Sequence, residues 1–382
     1  MKNTLTQFQV TVLLLIIGTI LIPNIGHAQI KDKQVHTVAP LPELSLDTTR
    51  IVEVVLKDTL IIAGVGDIML GTNFPNSSYL PPEGRSLLAP VAHLLTEPDC
   101  TFGNLEGTVL NEGGDVKKCS DSTKCYAFRM PEDIAWDLKP HGFDLISIAN
   151  NHVGDFGTPG RENTVRFLDS MGVAYAGLEA YPWDTIKIDG VIYGLAAFSP
   201  NTGTVKIHNY ELAKAIVQHL DSISDLVIVS FHGGAEGASK TNVPRATEMF
   251  YGENRGDVFK FSRWVVDHGA DIVFGHGPHV TRAMEVYKDR FIAYSLGNFA
   301  TYGRFNLRGI SGVAPIVHVY THRDGTFIKG KLHSTKQLGR GGPTLDPDNT
   351  AVKEVQRLNK EDFPENDLII EDNGSFYLPK AN

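Results

Sequence analysis

Cysteine is nearly absent: three residues in 382, with no Cys-x-x-Cys pair of the kind that structural zinc sites use. Motifs that carry a ready nucleophile or cradle a nucleotide are missing too. The chain has no Gly-x-Ser-x-Gly elbow and no Gly-x-x-x-x-Gly-Lys-Ser/Thr loop. Gly64-Val65-Gly66 is not followed by the spacing of a dinucleotide fingerprint. Serine-hydrolase, P-loop and nicotinamide chemistry are therefore unsupported. Basic residues are in the minority, 35 against 44 acidic, for a net charge of −9. That balance argues against nucleic acid as a partner. It leaves room for an anionic substrate, because a bound cation reverses the local field.

Long apolar runs are also scarce. The prominent one covers residues 10–22, behind a thin positive region at Lys2, and Gly26-His27-Ala28 supplies small residues before Gln29. This is the pattern of a secretory signal over residues 1–28, so the chain is expected to be exported to the periplasm, cell envelope or exterior. The run is shorter than the ~20 residues of a spanning helix, and an uncleaved anchor is the alternative. Removal of residues 1–28 takes one Lys and no acid, which leaves 34 basic against 44 acidic, net −10. In an oxidising compartment Cys119 and Cys125, in a polar loop, are expected to pair, with two free thiols as the alternative. Cys100 heads an apolar strand and reads as a small core residue.

Residues 29–57 read as a linker and a first strand over 51–56. Alternation then sets in, with strands over 60–63, 100–104, 145–148, 226–231 and 271–274. Helices are predicted over 87–95, 132–138, 162–171, 211–221 and 258–268, and Gly172 and Gly269 suit the ends of two of them. Hairpins are signalled by Asp189-Gly190, Lys288-Asp289 and Asp324-Gly325. Strands alternating with helices and interrupted by hairpins imply mixed sheets covered by helices. Residues 336–382 read as a C-terminal extension whose apolar stretch, 363–370, docks as an edge element.

The polar chemistry gathers where apolar strands end: Gly64-Val65-Gly66-Asp67, Asn104-Leu105-Glu106, Ala149-Asn150-Asn151-His152, His232 after the strand 227–231, and Gly275-His276-Gly277-Pro278-His279. Carboxylate, amide and imidazole delivered to one sheet edge suit a divalent metal such as manganese, iron or zinc. Asp67 alone reads equally as a ligand or a turn cap. Glu106, between Leu105 and Gly107, is poorly explained as a solvated charge. His152 is placed to move a proton, and Asp155 either orients it or caps the next turn. The rigid Gly277-Pro278 link fixes His276 and His279 with little freedom; two ordinary loop histidines are the alternative.

Taken in order, Gly66-Asp67-Ile68-Met69-Leu70-Gly71, Asn104-Leu105-Glu106-Gly107, Ala149-Asn150-Asn151-His152 with Asp155 and Gly157, and Tyr294-Ser295-Leu296-Gly297-Asn298-Phe299 make residues 58–335 resemble the CapA capsule-synthesis family, associated with poly-γ-glutamate capsules. The resemblance implies an α/β fold of the calcineurin-like metallophosphoesterase type, a four-layer sandwich of two mixed β-sheets flanked by helices. It implies a site for one or two divalent ions built from Asp67, Glu106, Asn151, His232 and His279, with His276 beside them and His152 as proton donor or substrate contact. Asn298 and Glu236 fall in family motifs without an assigned role. The sequence departs from that pattern at Met69, where metallophosphoesterases have the histidine of Asp-x-His, and at Gly277, where the first histidine of His-x-His would fall.

Two functions follow from the resemblance. One is a metal-dependent hydrolase acting on a phosphoester or on a bond of an anionic envelope polymer. The other is a non-catalytic binding and export factor with a degenerate site. Either would work beside capsule-synthesis proteins of the membrane.

Overall fold

The computed structural model describes residues 57–118 and 125–379. The signal-like segment, the linker, the strand expected over 51–56 and Cys119 lie outside the described residues. Cys125 is disulfide-bonded, and Cys100 is a free, buried thiol.

The strand Thr59–Met69 is the axis of the larger sheet. On one side it runs parallel to Cys100–Leu105, followed by Leu145–Ser147 and Ala174–Ala176. On the other it runs antiparallel to Val313–His322, which pairs in turn with Phe327–Gln337. Its last residues also pair in parallel with Asn298–Thr301. The smaller sheet has a parallel centre, Val191–Phe198, Leu226–His232, Ile272–His276 and Arg290–Ala293. Antiparallel edges, Trp183–Ile188 and Met284–Tyr287, close it. Both sheets are mixed, as the interleaved hairpins predict.

Three apolar clusters separate four layers. Between the sheets, Leu60, Ile62, Phe102 and Leu145 meet Tyr193, Leu195, Ile228 and Phe274. The rings of Phe102 and Phe274 stack at 5.3 Å. Outside the larger sheet, Val165 and Leu168 of the helix Gly157–Met171 cover Val65, Ile68 and Ile146. Outside the smaller one, Ile216 and Val217 of the helix Tyr210–Ile223 and Phe261 and Val265 of Val258–Val266 cover Val227, Val229 and Val273. Full burial of each such side chain stabilises the fold by about 1.5–3 kcal/mol. The architecture is thus the expected sandwich of two mixed sheets flanked by helices.

Local differences have local causes. The helix predicted over 87–95 is instead a 3-10 turn, Ala89–Val91, followed by a short helix, Ala92–Thr96. Pro90 sits in that turn, where its missing N–H costs no helical bond. The helix 132–138 likewise divides into Glu132–Ala135 and a 3-10 stretch, Trp136–His141. The hairpin turns form as signalled, with positive φ at Asp189, Gly190, Lys288 and Asp289. Beyond residue 336 the chain adds Pro343–Leu345, Ile369–Ile370 and Ser375–Tyr377 to the larger sheet and packs the helix Thr350–Asp362 against the core.

The parallel strands of both sheets end on one side of the molecule. Asp67 is in register with Asn104 and with Asn298, and His276 with His232. The ladder is irregular on both sides of Asp67, a bulge of the kind that re-aims a side chain. At Gly66 a Cβ would stand 2.0 Å from the Gly297 carbonyl oxygen, so only glycine lets these two segments pass.

Candidate metal centre

Asp67 is fully buried and stands at the hub. Its Oδ1 accepts a hydrogen bond from Asn104 Nδ2 at 2.9 Å and lies 3.3 Å from His276 Nδ1. Its Oδ2 pairs with His279 Nδ1 at 2.9 Å. Burial works to raise its pKa, but the two histidines hold it well below the usual carboxylate range. With Nδ1 of His279 engaged there, Nε2 faces the other way, 3.5 Å from Glu106 Oε1 and 3.9 Å from Glu236 Oε2. Asp67 therefore braces His279 from behind, the arrangement by which a carboxylate fixes an imidazole for a metal, and stands beside His276.

Glu106, His232 and His279 each offer one ligand atom, all within 4.8 Å of one another. His152 Nε2 lies 3.8 Å from Glu106 Oε1. The sequence-expected residues Asp67, Glu106, His152, His232, His276 and His279 are thus brought to one place. Asn151 contributes a buried Oδ1 that has no hydrogen-bond partner.

A cation fits this donor set. Both carboxylate oxygens of Glu106, both ring nitrogens of His232, both of His276 and Oδ1 of Asn151 are buried without a hydrogen bond. Buried polar atoms of native proteins are paired in the great majority, so such a concentration calls for a partner outside the chain. Mixed oxygen and imidazole donors suit manganese, iron or zinc. The electrostatics agree. Burial and the neighbouring Asp67 push the Glu106 carboxyl well up, and burial with Arg255 nearby holds His232 well below its ordinary value. His279 is the exception. Burial alone would lower it, but Glu106 and Asp67 raise it to about 10.

His152 is built as a separate unit. Its Nδ1 is 2.7 Å from Asp155 Oδ2, which also accepts from the Phe128 amide at 2.7 Å. Its ring packs on Phe128 at 4.3 Å. Burial lowers its pKa, against the pull of Asp155. The neutral ring then keeps its proton at Nδ1 and turns a lone pair at Nε2 toward the pocket. Lys117 closes the unit, 2.5 Å from Asp155 Oδ1 and 3.3 Å from His152 Nδ1.

Met69 and Gly277, the two positions where the sequence lacks an expected histidine, have different structural meanings. Met69 is fully buried in the core and brings nothing to the pocket. Position 277 cannot hold a side chain: its φ is +116° and a Cβ would stand 2.6 Å from the Gly233 carbonyl oxygen. His276 takes the place beside Asp67 instead. Sequence reasoning set Asn104 in a polar motif but gave it no role; it links Asp67 to Asn150. It also missed Lys117 and the bracing role of Asn298, whose Nδ2 donates to the His279 carbonyl at 3.2 Å. That contact helps hold His279 at φ +58°, an uncommon conformation for a residue other than glycine.

Beside the centre lies a groove of about 690 Å³ lined by Tyr79, Tyr126, Arg304, Phe305 and Arg308 among others. Phe305 stacks on Phe128 at 5.1 Å and meets the His279 ring at 6.0 Å, so groove and centre adjoin. The Arg304 guanidinium lies 5.1 Å from the Tyr79 ring and 5.0 Å from that of Tyr126.

Residues 61–302 match the family described as bacterial capsule synthesis protein PGA_cap. Among curated proteins, the capsule biosynthesis protein CapA of Bacillus anthracis is 28% identical over 268 residues, 64% of this chain and 60% of that protein. The PGA biosynthesis protein CapA of Bacillus subtilis strain 168 is 27% identical over 258 residues, 63% of each. The chain thus spans about three fifths of the length of these relatives. Among solved structures, a putative 5'-nucleotidase from Staphylococcus aureus matches with a TM-score of 0.42 at 15% identity, over 79% of this chain and 58% of that one.

Proposed function

The chain belongs to the PGA_cap family of bacterial capsule synthesis proteins, and from that membership we propose that it is an exported, divalent-metal-dependent hydrolase acting on an anionic polymer of the cell envelope. The observation that carries the reading is the set of buried, unpartnered donors of Glu106, His232 and His276, brought together from strand ends of both sheets. Glu106, His232 and His279 would hold the ion, with Asp67 behind His279. When bound, such an ion supplies positive charge for a developing oxyanion and makes water more acidic.

The chain's own residues do the rest. His152 accepts a proton at Nε2 and returns it to a leaving group, while Asp155 holds the ring and stabilises it when charged. Arg304 and Arg308 give a basic groove on an acidic chain, suited to the carboxylates or phosphates of a polymer laid toward the centre. Export is supported by the signal-like residues 1–28 and by the disulfide at Cys125.

The test uses the mature chain, residues 29–382, loaded with manganese or zinc and offered poly-γ-glutamate of defined length beside a panel of phosphoesters. Shortening of the polymer or release of phosphate, lost in an Asp67→Asn, His279→Ala double variant, is the expected result. Absence of bound metal after incubation with either ion would overturn the reading. Met69, which withdraws a ligand into the core, favours a second reading in which the centre grips the polymer without cutting it. Metal and polymer bound with no bond broken would establish that one.

A further inference from the structure

The loop that leaves the strand Leu226–His232 carries a carboxylate that the family motifs contain but to which no role attaches. We propose that Glu236 is an additional protein ligand of the divalent centre, and that Arg255 is its positioning residue. This rests on the divalent-metal reading above.

The loop is pinned to the segment that bears the histidines. The Gly233 amide donates to the His276 carbonyl at 2.8 Å and the Gly237 amide to the Pro278 carbonyl at 3.0 Å. Glu236 lies between these two anchors, so its position relative to His279 is fixed by backbone bonds. A second frame supports the loop from below. Glu248 pairs with both terminal nitrogens of the fully buried Arg282 at 2.8 Å and accepts from the Ala235 amide at 2.9 Å.

The carboxylate itself is oriented. Its Oε1 is 3.1 Å from Arg255 Nη2, on a guanidinium only 2% exposed that also reaches the Gly234 carbonyl and Glu253. Its Oε2 is left 3.9 Å from His279 Nε2, the same nitrogen that lies 3.5 Å from Glu106 Oε1. Two donors held about 2.0–2.2 Å from one ion stand at most about 4.4 Å apart, so each of these pairs can share an ion. A solvated salt-bridge partner of Arg255 would have no reason to be pinned on both sides beside His279. Asp67 is engaged on both oxygens, by Asn104 and by His279, whereas Glu236 leaves Oε2 turned toward His279.

The test measures manganese affinity and stoichiometry by titration calorimetry and elemental analysis, with the visible absorption of the cobalt-substituted protein as a second readout. The proteins are wild type, Glu236→Gln, Arg255→Lys and, as a control, Glu253→Gln, which touches Arg255 from the side away from His279. Thermal melts in chelator confirm that each variant folds. Glu236→Gln is expected to weaken manganese binding by tenfold or more and to change the cobalt spectrum. Arg255→Lys should weaken it less, and Glu253→Gln hardly at all. Unchanged affinity and spectrum in Glu236→Gln, with wild type binding normally, would overturn the assignment and leave the divalent-metal reading standing. Failure of wild type itself to bind would remove both.

Discussion

Glu106 sets the requirements of the ion against those of the fold. Its carboxyl is fully buried, lacks a hydrogen bond and sits near Asp67, so its pKa is pushed well above the ordinary 4.5. A carboxyl whose pKa is higher in the fold than in the unfolded chain costs the fold stability once the pH passes the unfolded value. The cost is about 1.36 kcal/mol for each pH unit of that difference. Glu106→Gln keeps the shape and removes the cost. For a folded unit of about 330 residues, unfolding entropy near 2.1 cal/mol/K per residue converts each such unit into about 2 °C. Wild type gains about 2.7 kcal/mol from a metal at 100 times its Kd. Differential scanning calorimetry at pH 7, with chelator and with manganese, should therefore show crossed behaviour. The variant melts higher than wild type in chelator and fails to respond to manganese. The sign with pH is fixed as well. A raised carboxylate pKa makes wild-type stability fall as pH climbs from 4.5, so the gap between the two proteins should close toward pH 4.5. A variant that melts below wild type in chelator, or that still gains with manganese, would refute the account of Glu106.

Gly277→His, which restores the His-x-His of the family pattern, should destabilise rather than improve the centre. The φ of +116° costs about 1–3 kcal/mol for a residue with a Cβ, and that Cβ would meet the Gly233 carbonyl at 2.6 Å; a lower urea midpoint and weaker manganese binding are expected, and a gain in either would refute the steric account. Away from the centre, burial and then His318 and Lys331 depress the His333 pKa to about 4. The unfolded chain binds the extra proton first, so stability is present above pH 6.5 and is lost as pH falls toward 4, by about 1–2 kcal/mol once partial exposure is allowed for. His333→Gln should flatten that slope in urea titrations at pH 7 and 4.5, and an unaltered slope would reject His333 as its source.

What could be read from the sequence was what depends on short range. A strand is announced by its apolar run, and the residue that ends the run is carried to the sheet edge whatever its partners are. That is why Glu106, His152, His232, His276 and His279 could be nominated and why they meet. Long-range partners leave no such trace. Lys117 approaches His152 across 35 positions, Phe305 reaches Phe128 from another loop, and Asn104 looks like an ordinary strand residue until Asp67 is set beside it. Element ends failed for a related reason: the apolar spacing over 87–95 suits a helix, but Pro90 divides it into two turns.

The glycine at 277 and the carboxylate at 236 belong together. Position 277 is closed to a side chain because the loop after His232 passes too near it, and that same proximity ties Gly233 to His276 and Gly237 to Pro278. The backbone contact that bars a histidine at 277 thus carries Glu236 to His279. The centre therefore exchanges imidazole for carboxylate. More carboxylate and less nitrogen moves a site toward harder ions, so manganese should be favoured over zinc more strongly here than in a relative with the full histidine set. Side-by-side titration of the two ions into wild type and Glu236→Gln decides it. Loss of the carboxylate should weaken manganese more than zinc, and an equal loss for both would show that hardness plays no part in what this edge selects.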